Sequence, residues 1–420
     1  MTGLETRRAI EAVWRIESAR LIAGLARAVR DVGRAEDLAQ DALVAALEQW
    51  PESGVPDNPG AWLMAVGKRR AVDQIRRDIV LERKQGELAR ELETSLTTPE
   101  PEVADDIGDD LLRLVFTACH PVLSTDARVA LTLRVLGGLS TTEIARAYLV
   151  PESTVAQRIV RAKRTLADAQ VPFEVPAGPE LAGRLASVLE VVYLIFNEGY
   201  SATAGDDWMR PELCADALRL GRILATLAPR EPEVHGLVAL MEIQASRSRA
   251  RVGPSGQPVL LTRQDRSRWD QLLIRRGLVA LRRCEELGGA YGPYALQAAI
   301  AGCHARAVRP ELTDWRRIAA LYAILAQVTP SPIVELNRAV AVSMADGPAA
   351  ALPIVDALVA EPTLRAYHLL PSVRGDLLER LGRFVEARIE FERAAALTAN
   401  ARERELLHRR AAETAHRSGS

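Results

Sequence analysis

Ala, Leu and Arg recur at spacings of three and four along nearly the whole chain, the period of helices that bury one face. Strands favour β-branched and aromatic residues in strict alternation, and aromatics make up only 4% of this sequence. The sequence therefore predicts an all-α protein. Its 420 residues, 48% hydrophobic, are enough for about two to four domains with real cores. A formal net charge of −1 argues against indiscriminate polyanion binding, so any contact with nucleic acid must come from local basic patches. Lys68, Arg69, Arg70, Arg76 and Arg77 form one patch, and the segment after Pro151 forms another. Glu100, Glu102, Asp105, Asp106, Asp109 and Asp110 gather negative charge between them.

Cys119, Cys214, Cys284 and Cys303 show no CxxC spacing, which fits small buried thiols in a reducing cytoplasm. The adjacent pairs Cys119-His120 and Cys303-His304 do not supply a tetrahedral metal site on their own, so neither a metal nor another cofactor is expected. No apolar leader precedes the first arginines, and the run from Val188 to Phe196 is broken by Glu190 and too short for a bilayer. A cytoplasmic protein with no membrane partner is the expectation.

Along the chain, residues 1–85 read as a first helical block, interrupted at WPESGVPDNPG from Trp50 to Gly60. Residues 86–110, with Thr97, Thr98, Pro99 and Pro101 and few apolar anchors, read as an acidic flexible linker. A second block covers 111–172, and VPFEVPAGP at 171–179 leads into a helical extension, 173–420. In the extension, Gly375, Leu378, Gly382, Ala387, Phe391 and Ala394 have the small-large spacing of tetratricopeptide helix pairs. Gly347 stands about one repeat earlier, and Tyr322 and Pro330 fit a still earlier one. An irregular helical bundle is the other reading of that register.

Within the second block, TTEIARAYLVPESTVAQRIVRAKRTL, Thr141 to Leu166, reads as a helix-turn-helix. Ile144, Ala145, Leu149, Val155, Ile159 and Leu166 fall where two short helices pack together. Thr141 or Thr142 can cap the first helix, Ser153 or Thr154 the second, and Pro151 sits near the second helix's start. Ser153, Thr154, Gln157, Arg158 and Arg161 would then face a major groove, where Arg bonds guanine and Gln bonds adenine, while Lys163 and Arg164 would hold phosphate. The bland alternative is a solvated basic helix.

The first block carries DLAQDALVAALEQW, Asp37 to Trp50. This amphipathic helix has either Leu38, Ala42, Ala45 and Ala46 or Leu43 and Leu47 inward, and Asp37, Gln40 and Asp41 outward. It also carries NPGAWLMAVGKRRAVDQIRR, Asn58 to Arg77, in which Trp62, Leu63, Val66, Val72 and Ile75 alternate with a basic face. In this order, with the helix-turn-helix after them, these segments resemble the extracytoplasmic-function group of bacterial sigma-70 factors. Asp37 to Trp50 is similar to region 2.2, Asn58 to Arg77 to regions 2.3 and 2.4, and Leu131 to Leu166 to region 4. FTACHPVLSTDARVALTLRVLGGLS, VVYLIFNEGYSAT and GPYALQAAIAGCHA resemble the subgroup with a long tetratricopeptide-like extension, associated with DGPF-type proteins.

The resemblance implies an alternative sigma factor that binds core RNA polymerase and promoter DNA and is not an enzyme. Asp37, Gln40 and Asp41 would meet the polymerase. Trp62, Lys68, Arg69, Arg70, Gln74, Arg76 and Arg77 would serve the −10 element, although Trp62 shares its face with Leu63 and Val66 and so reads first as core. Arg69 stands where the family most often has Asn, which exchanges a base-edge bond for phosphate contact. Ser153, Thr154, Gln157, Arg158, Arg161, Lys163 and Arg164 would serve the −35 element. The extension would act as a built-in regulator, with Asn197, Glu198 and Tyr200 as its contact to a small protein or ligand; the same residues could simply satisfy a helix end. The competing function is a tetratricopeptide-containing helix-turn-helix activator that never replaces a sigma factor. No phosphate-cradling loop, nucleophile elbow or paired carboxylate motif supports an enzyme.

Overall fold

A computed structural model describes residues 3–81, 104–148, 150–201, 209–253 and 257–418. Among these every regular element is a helix, beside one isolated bridge between Val252 and Pro258, as the all-α expectation requires. No helix among the described residues is long and apolar enough to cross a membrane. The chain forms two compact units, residues 1–194 and 195–420. The expected boundaries at 85/86, 110/111 and 172/173 do not mark this division.

The first unit contains α1 (Gly3–Val29), α2 (Val32–Ser53), α3 (Pro59–Leu81), α4 (Ala104–Ala118), α5 (Thr125–Val135), α6 (Thr141–Tyr148), α7 (Glu152–Asp168) and the start of α8 (Pro179–Tyr200). Asp31 caps α2 by accepting from the Arg34 N–H at 2.8 Å, and the Asn58 side chain accepts from the Ala61 N–H at 3.0 Å where α3 begins. The Pro- and Gly-rich break is shorter than expected: α2 accommodates Pro51 and ends at Gly54, whose N–H returns to the Trp50 carbonyl. Ile22, Leu25, Leu38, Ala42, Ala46, Trp50 and Leu63 form the core of this part, so the Leu38 face of α2 is the inward one and Leu47 is exposed.

The end of the expected linker is helical, because α4 begins at Ala104. Asp110 is buried there, bonded to Arg113 at 2.6 Å and facing Arg27 of α1 at 3.5 Å. Asp109 is exposed on the same helix and faces Arg113 at 3.9 Å, while residues 86–103 lie outside the described residues. The beginning of the extension also belongs to the first unit. Arg184 donates to the Phe116 carbonyl at 3.0 Å, Ser187 donates to the Cys119 carbonyl at 2.7 Å, and Arg128 reaches Glu190 at 3.1 Å. These bonds fasten the first half of α8 to α4 and α5, and polar anchors of this kind are invisible to composition.

The second unit takes the end of α8 and adds α9 (Pro211–Leu227), α10 (Pro232–Ala245), α11 (Gln271–Glu286), α12 (Pro293–Arg306), α13 (Trp315–Val328), α14 (Pro332–Asp346), α15 (Pro348–Leu358), α16 (Leu369–Arg380), α17 (Phe384–Leu397) and α18 (Ala401–Ser418). Proline opens α9, α10, α12, α14 and α15, where its missing N–H is harmless. Gly347 and Gly382 turn the chain between paired helices with φ of 97° and 77°. Phe391 of α17 is fully buried against Gly375 of α16, in a core with Leu336, Ala351, Val355 and Leu378.

Candidate nucleic-acid interface

The helix-turn-helix is built as its apolar pattern required: Ile144, Ala145, Val155, Ile159 and Leu166 are all buried. Leu149 lies outside the described residues. The cap of α6 is Ser140, not Thr141 or Thr142. Ser140 Oγ accepts from the Glu143 N–H at 3.1 Å while the Glu143 carboxylate accepts from the Ser140 N–H at 2.8 Å, a reciprocal capping box. Burial opposes the Glu143 charge, but the Ser140 bonds and Arg15 outweigh it and hold the carboxyl below its ordinary range. Pro151 occupies the cap position of α7, so Ser153 and Thr154 lie within its first turn rather than capping it.

Ser153, Gln157, Arg161 and Arg164 are exposed along one side of α7, with Val160 also exposed among them. Their offsets of four, eight and eleven residues make a continuous stripe that a groove could receive. Thr154 is partly buried. Arg158 is held by Asp126 at 2.8 Å, and Arg164 faces Asp168 at 3.4 Å.

Lys163 departs from the sequence expectation, because its ammonium turns away from the stripe to Glu36 and, at 2.9 Å, to Asp37. Glu36 of α2 has a side chain only 3% exposed and also accepts from Arg134 Nε at 2.8 Å and from the Gln40 amide. Burial alone would raise the Glu36 carboxyl, yet Lys163 and Arg134 together hold it below its ordinary value, and the Lys163 ammonium is raised in return. Charges this deeply placed interact in a weakened dielectric, where losing one partner costs about 3–5 kcal/mol.

The three α2 residues expected to meet a polymerase all have partners within the chain. Asp37 binds Lys163, Gln40 binds Glu36, and Asp41 faces Arg70 at 3.2 Å. Two further contacts join the same blocks. Arg15 of α1 reaches Glu143 at 3.1 Å, and Gly138, with φ of 71°, sits so near α1 that an added Cβ would lie 2.8 Å from Ser18 Oγ. The first unit is therefore closed, with α5, α6 and α7 seated on α1 and α2. Glu36, Arg134 and Arg15 were missed by sequence reasoning. Glu36 and Arg134 are single charges on otherwise apolar faces, which is the only local sign they carry.

On α3, Arg69, Gln74 and Arg76 are exposed, and Lys68 and Arg70 are partly buried. The Arg77 side chain lies outside the described part of the helix. Trp62 is half-buried, edge-on to the buried Trp50 at a centroid distance of 5.2 Å, so its first role is to join α2 to α3.

Asn197, Glu198 and Tyr200 close the end of α8. The Asn197 carbonyl accepts from the Ser201 N–H at 2.8 Å, Glu198 pairs with Arg210, and Tyr200 accepts from Arg247 at its hydroxyl and from Arg251 at its carbonyl. The Arg251 guanidinium lies 3.4 Å from the Tyr200 ring centroid. Gly199 makes this closure possible, since an added Cβ would lie 2.6 Å from the Cys214 nitrogen and 2.9 Å from the Arg210 carbonyl. Gly199→Ala is expected to cost about 1–3 kcal/mol by overpacking against backbone that cannot swing aside. A thermal melt unchanged from wild type would refute that.

Comparison with known proteins divides the chain in a similar way. Sigma-70 region 2 matches residues 16–78, sigma-70 region 4 matches 113–166, and a family of unknown function, DUF6596, matches 184–285. The uncharacterized protein R00370 of Rhizobium meliloti is 45% identical over 384 residues, covering 90% of this chain and 89% of its own length. The ECF RNA polymerase sigma factor SigK of Mycobacterium tuberculosis is 30% identical over 149 residues, 33% of this chain and 74% of that protein. The probable ECF RNA polymerase sigma factor SigI of the same organism is 28% identical over 167 residues, 40% of this chain and 57% of that protein. No solved structure matches.

Proposed function

This chain belongs to the ECF RNA polymerase sigma factors, and from that membership we propose that it binds core RNA polymerase and directs initiation. In this reading the α3 face of Lys68, Arg69, Arg70, Gln74, Arg76 and Arg77, with Trp62, serves the −10 element. The α7 residues Ser153, Thr154, Gln157, Arg158, Arg161, Lys163 and Arg164 serve the −35 element. The observation that carries it is the exposed Ser153, Gln157, Arg161, Arg164 stripe in the same chain as an acidic α2 face of Asp37, Gln40 and Asp41.

The closed first unit is then a resting arrangement. Elements named −10 and −35 lie roughly 25 base pairs apart, about 85 Å of duplex at about 3.4 Å per step. Lys163 and Asp37 are 2.9 Å apart, so α7 must leave α2 before both elements can be held. A polymerase surface that takes Asp37 and Asp41 would displace Lys163 and Arg70 in the same act.

The extension after residue 173 acts as a built-in regulator with tetratricopeptide-like helix pairs. Support comes from the α8 bonds to Phe116 and Cys119, which tie the start of the extension to the helix preceding α5. The Gly347 and Gly382 turns and the Phe391–Gly375 nesting also suit such pairs. Asn197, Glu198 and Tyr200 contribute by holding the α8 terminus from which a small-protein or ligand contact would be read.

The test is transcription from a genomic promoter library by core polymerase with and without the protein. Promoter-directed RNA only in its presence is the expected result, and Arg161→Ala should weaken the selected promoters by about 1–3 kcal/mol. Specific operator binding without any polymerase, and no initiation in its company, would overturn the reading.

A further inference from the structure

Several arginines of the second unit face carboxylates of their own unit. Arg374 lies between Asp356 and Glu390, both at 2.8 Å, and Arg410 lies between Asp376 and Glu379. A groove of about 650 Å³ runs over α10, between α9 and α11, and four guanidiniums line it: Arg222, Arg275, Arg276 and Arg283. Among the described residues neither Arg275 nor Arg276 has a carboxylate within salt-bridge distance. Arg283 reaches only Glu286 at 3.5 Å, an exposed pair one turn apart that neutralises little.

The floor is organised. Glu242 of α10 is only 2% exposed, and its Oε1 accepts from Arg222 Nε at 2.8 Å, which fixes that guanidinium at the rim. Its Oε2 is buried without a hydrogen-bond donor. The buried acid holds the Arg222 guanidinium in a defined place beside the groove.

Val279 lines the groove, and Leu272 lies beyond its lining on the same helix. Leu272 and Val279 of α11 are 50% and 55% exposed, seven residues and therefore two turns apart, with Arg275 and Arg276 between them and Arg283 one turn beyond. Apolar residues in this register, flanked by unneutralised cations, are the complement of a helix with an apolar stripe and carboxylates on its shoulders. A nucleic-acid backbone would meet the arginines but leave Leu272 and Val279 uncovered. We propose that the groove formed by α9, α10 and α11 docks an acidic amphipathic helix of another protein, whose carboxylates face Arg275, Arg276 and Arg283.

The probe is a fluorescein-labelled synthetic helical peptide of about 18 residues, five turns, with leucines on one face flanked by glutamates. Its anisotropy is read against the full-length protein. Binding is expected, and the double variant Arg275→Glu, Arg276→Glu should weaken it at least about tenfold, because attraction becomes like-charge repulsion. Arg316→Glu, on the exposed face of α13, should leave it unchanged. The milder pair Arg275→Gln, Arg276→Gln, checked by thermal melting, guards against a folding artefact. The proposal is overturned if a Glu-to-Gln version of the peptide binds equally well, or if neither double variant changes binding. It is also overturned if a duplex of about 20 base pairs (~68 Å) competes the peptide off in an Arg275- and Arg276-dependent way, which would make the groove a nucleic-acid site. All of these outcomes are independent of whether the chain supports initiation.

Discussion

Oxidising a Gly33→Cys, Lys163→Cys variant is expected to abolish promoter-directed transcription, and reduction should restore it. A Cβ at Gly33 would stand 3.4 Å from the Lys163 Cβ, at the short edge of disulfide geometry. The bridge would join α2 to α7 covalently, so the open arrangement is excluded for as long as it is intact. Natural thiols will not interfere: all four are free and buried, and burial pushes Cys119 up to about 11 and Cys214 and Cys284 up to about 12. Neither single variant should respond to oxidant. If the bridge forms and transcription continues, the closed unit is not a resting state.

Arg134→Met should act in the opposite direction. Arg134 is 17% exposed and bonds both Glu36 and the Leu139 carbonyl, so its loss leaves a buried carboxylate with Lys163 as its remaining cation. Breaking such a pair costs about 3–5 kcal/mol, which weakens the closed arrangement by a factor of a hundred or more. Affinity for core polymerase scales with the fraction already open, so it should rise until the open form dominates. Surface-immobilised core polymerase and a thermal melt measure the two effects separately. Equal polymerase affinity in a folded variant would show that Glu36 restrains nothing. Acid should resemble this variant. Because the folded Glu36 pKa lies below its ordinary value of 4.5, its contribution is complete above that value and disappears as pH falls through the lower folded one. The Lys163 contribution, with a raised pKa, is complete below its ordinary 10.5. Between pH 6 and 8 (near-neutral) this contact should be insensitive to pH.

Local periodicity was enough for the helices, the helix-turn-helix and the inward face of α7, and it narrowed the inward face of α2 to two, of which the fold took the Leu38 one. Those depend on neighbours one or two turns away, and Leu38, Ala42, Val155 and Ile159 are buried accordingly. One of the sequence's errors was local, placing the α6 cap one residue past Ser140. Tertiary structure alone decided what the charges do. Glu36 meets Arg134 and Lys163 across 98 and 127 residues, and Arg222 of α9 meets Glu242 of α10 across 20 residues. A side chain's period fixes the face on which it lies, but a charge is defined by whatever stands opposite. That is why Lys163 reads as a phosphate ligand in the sequence and holds α7 to α2 in the fold.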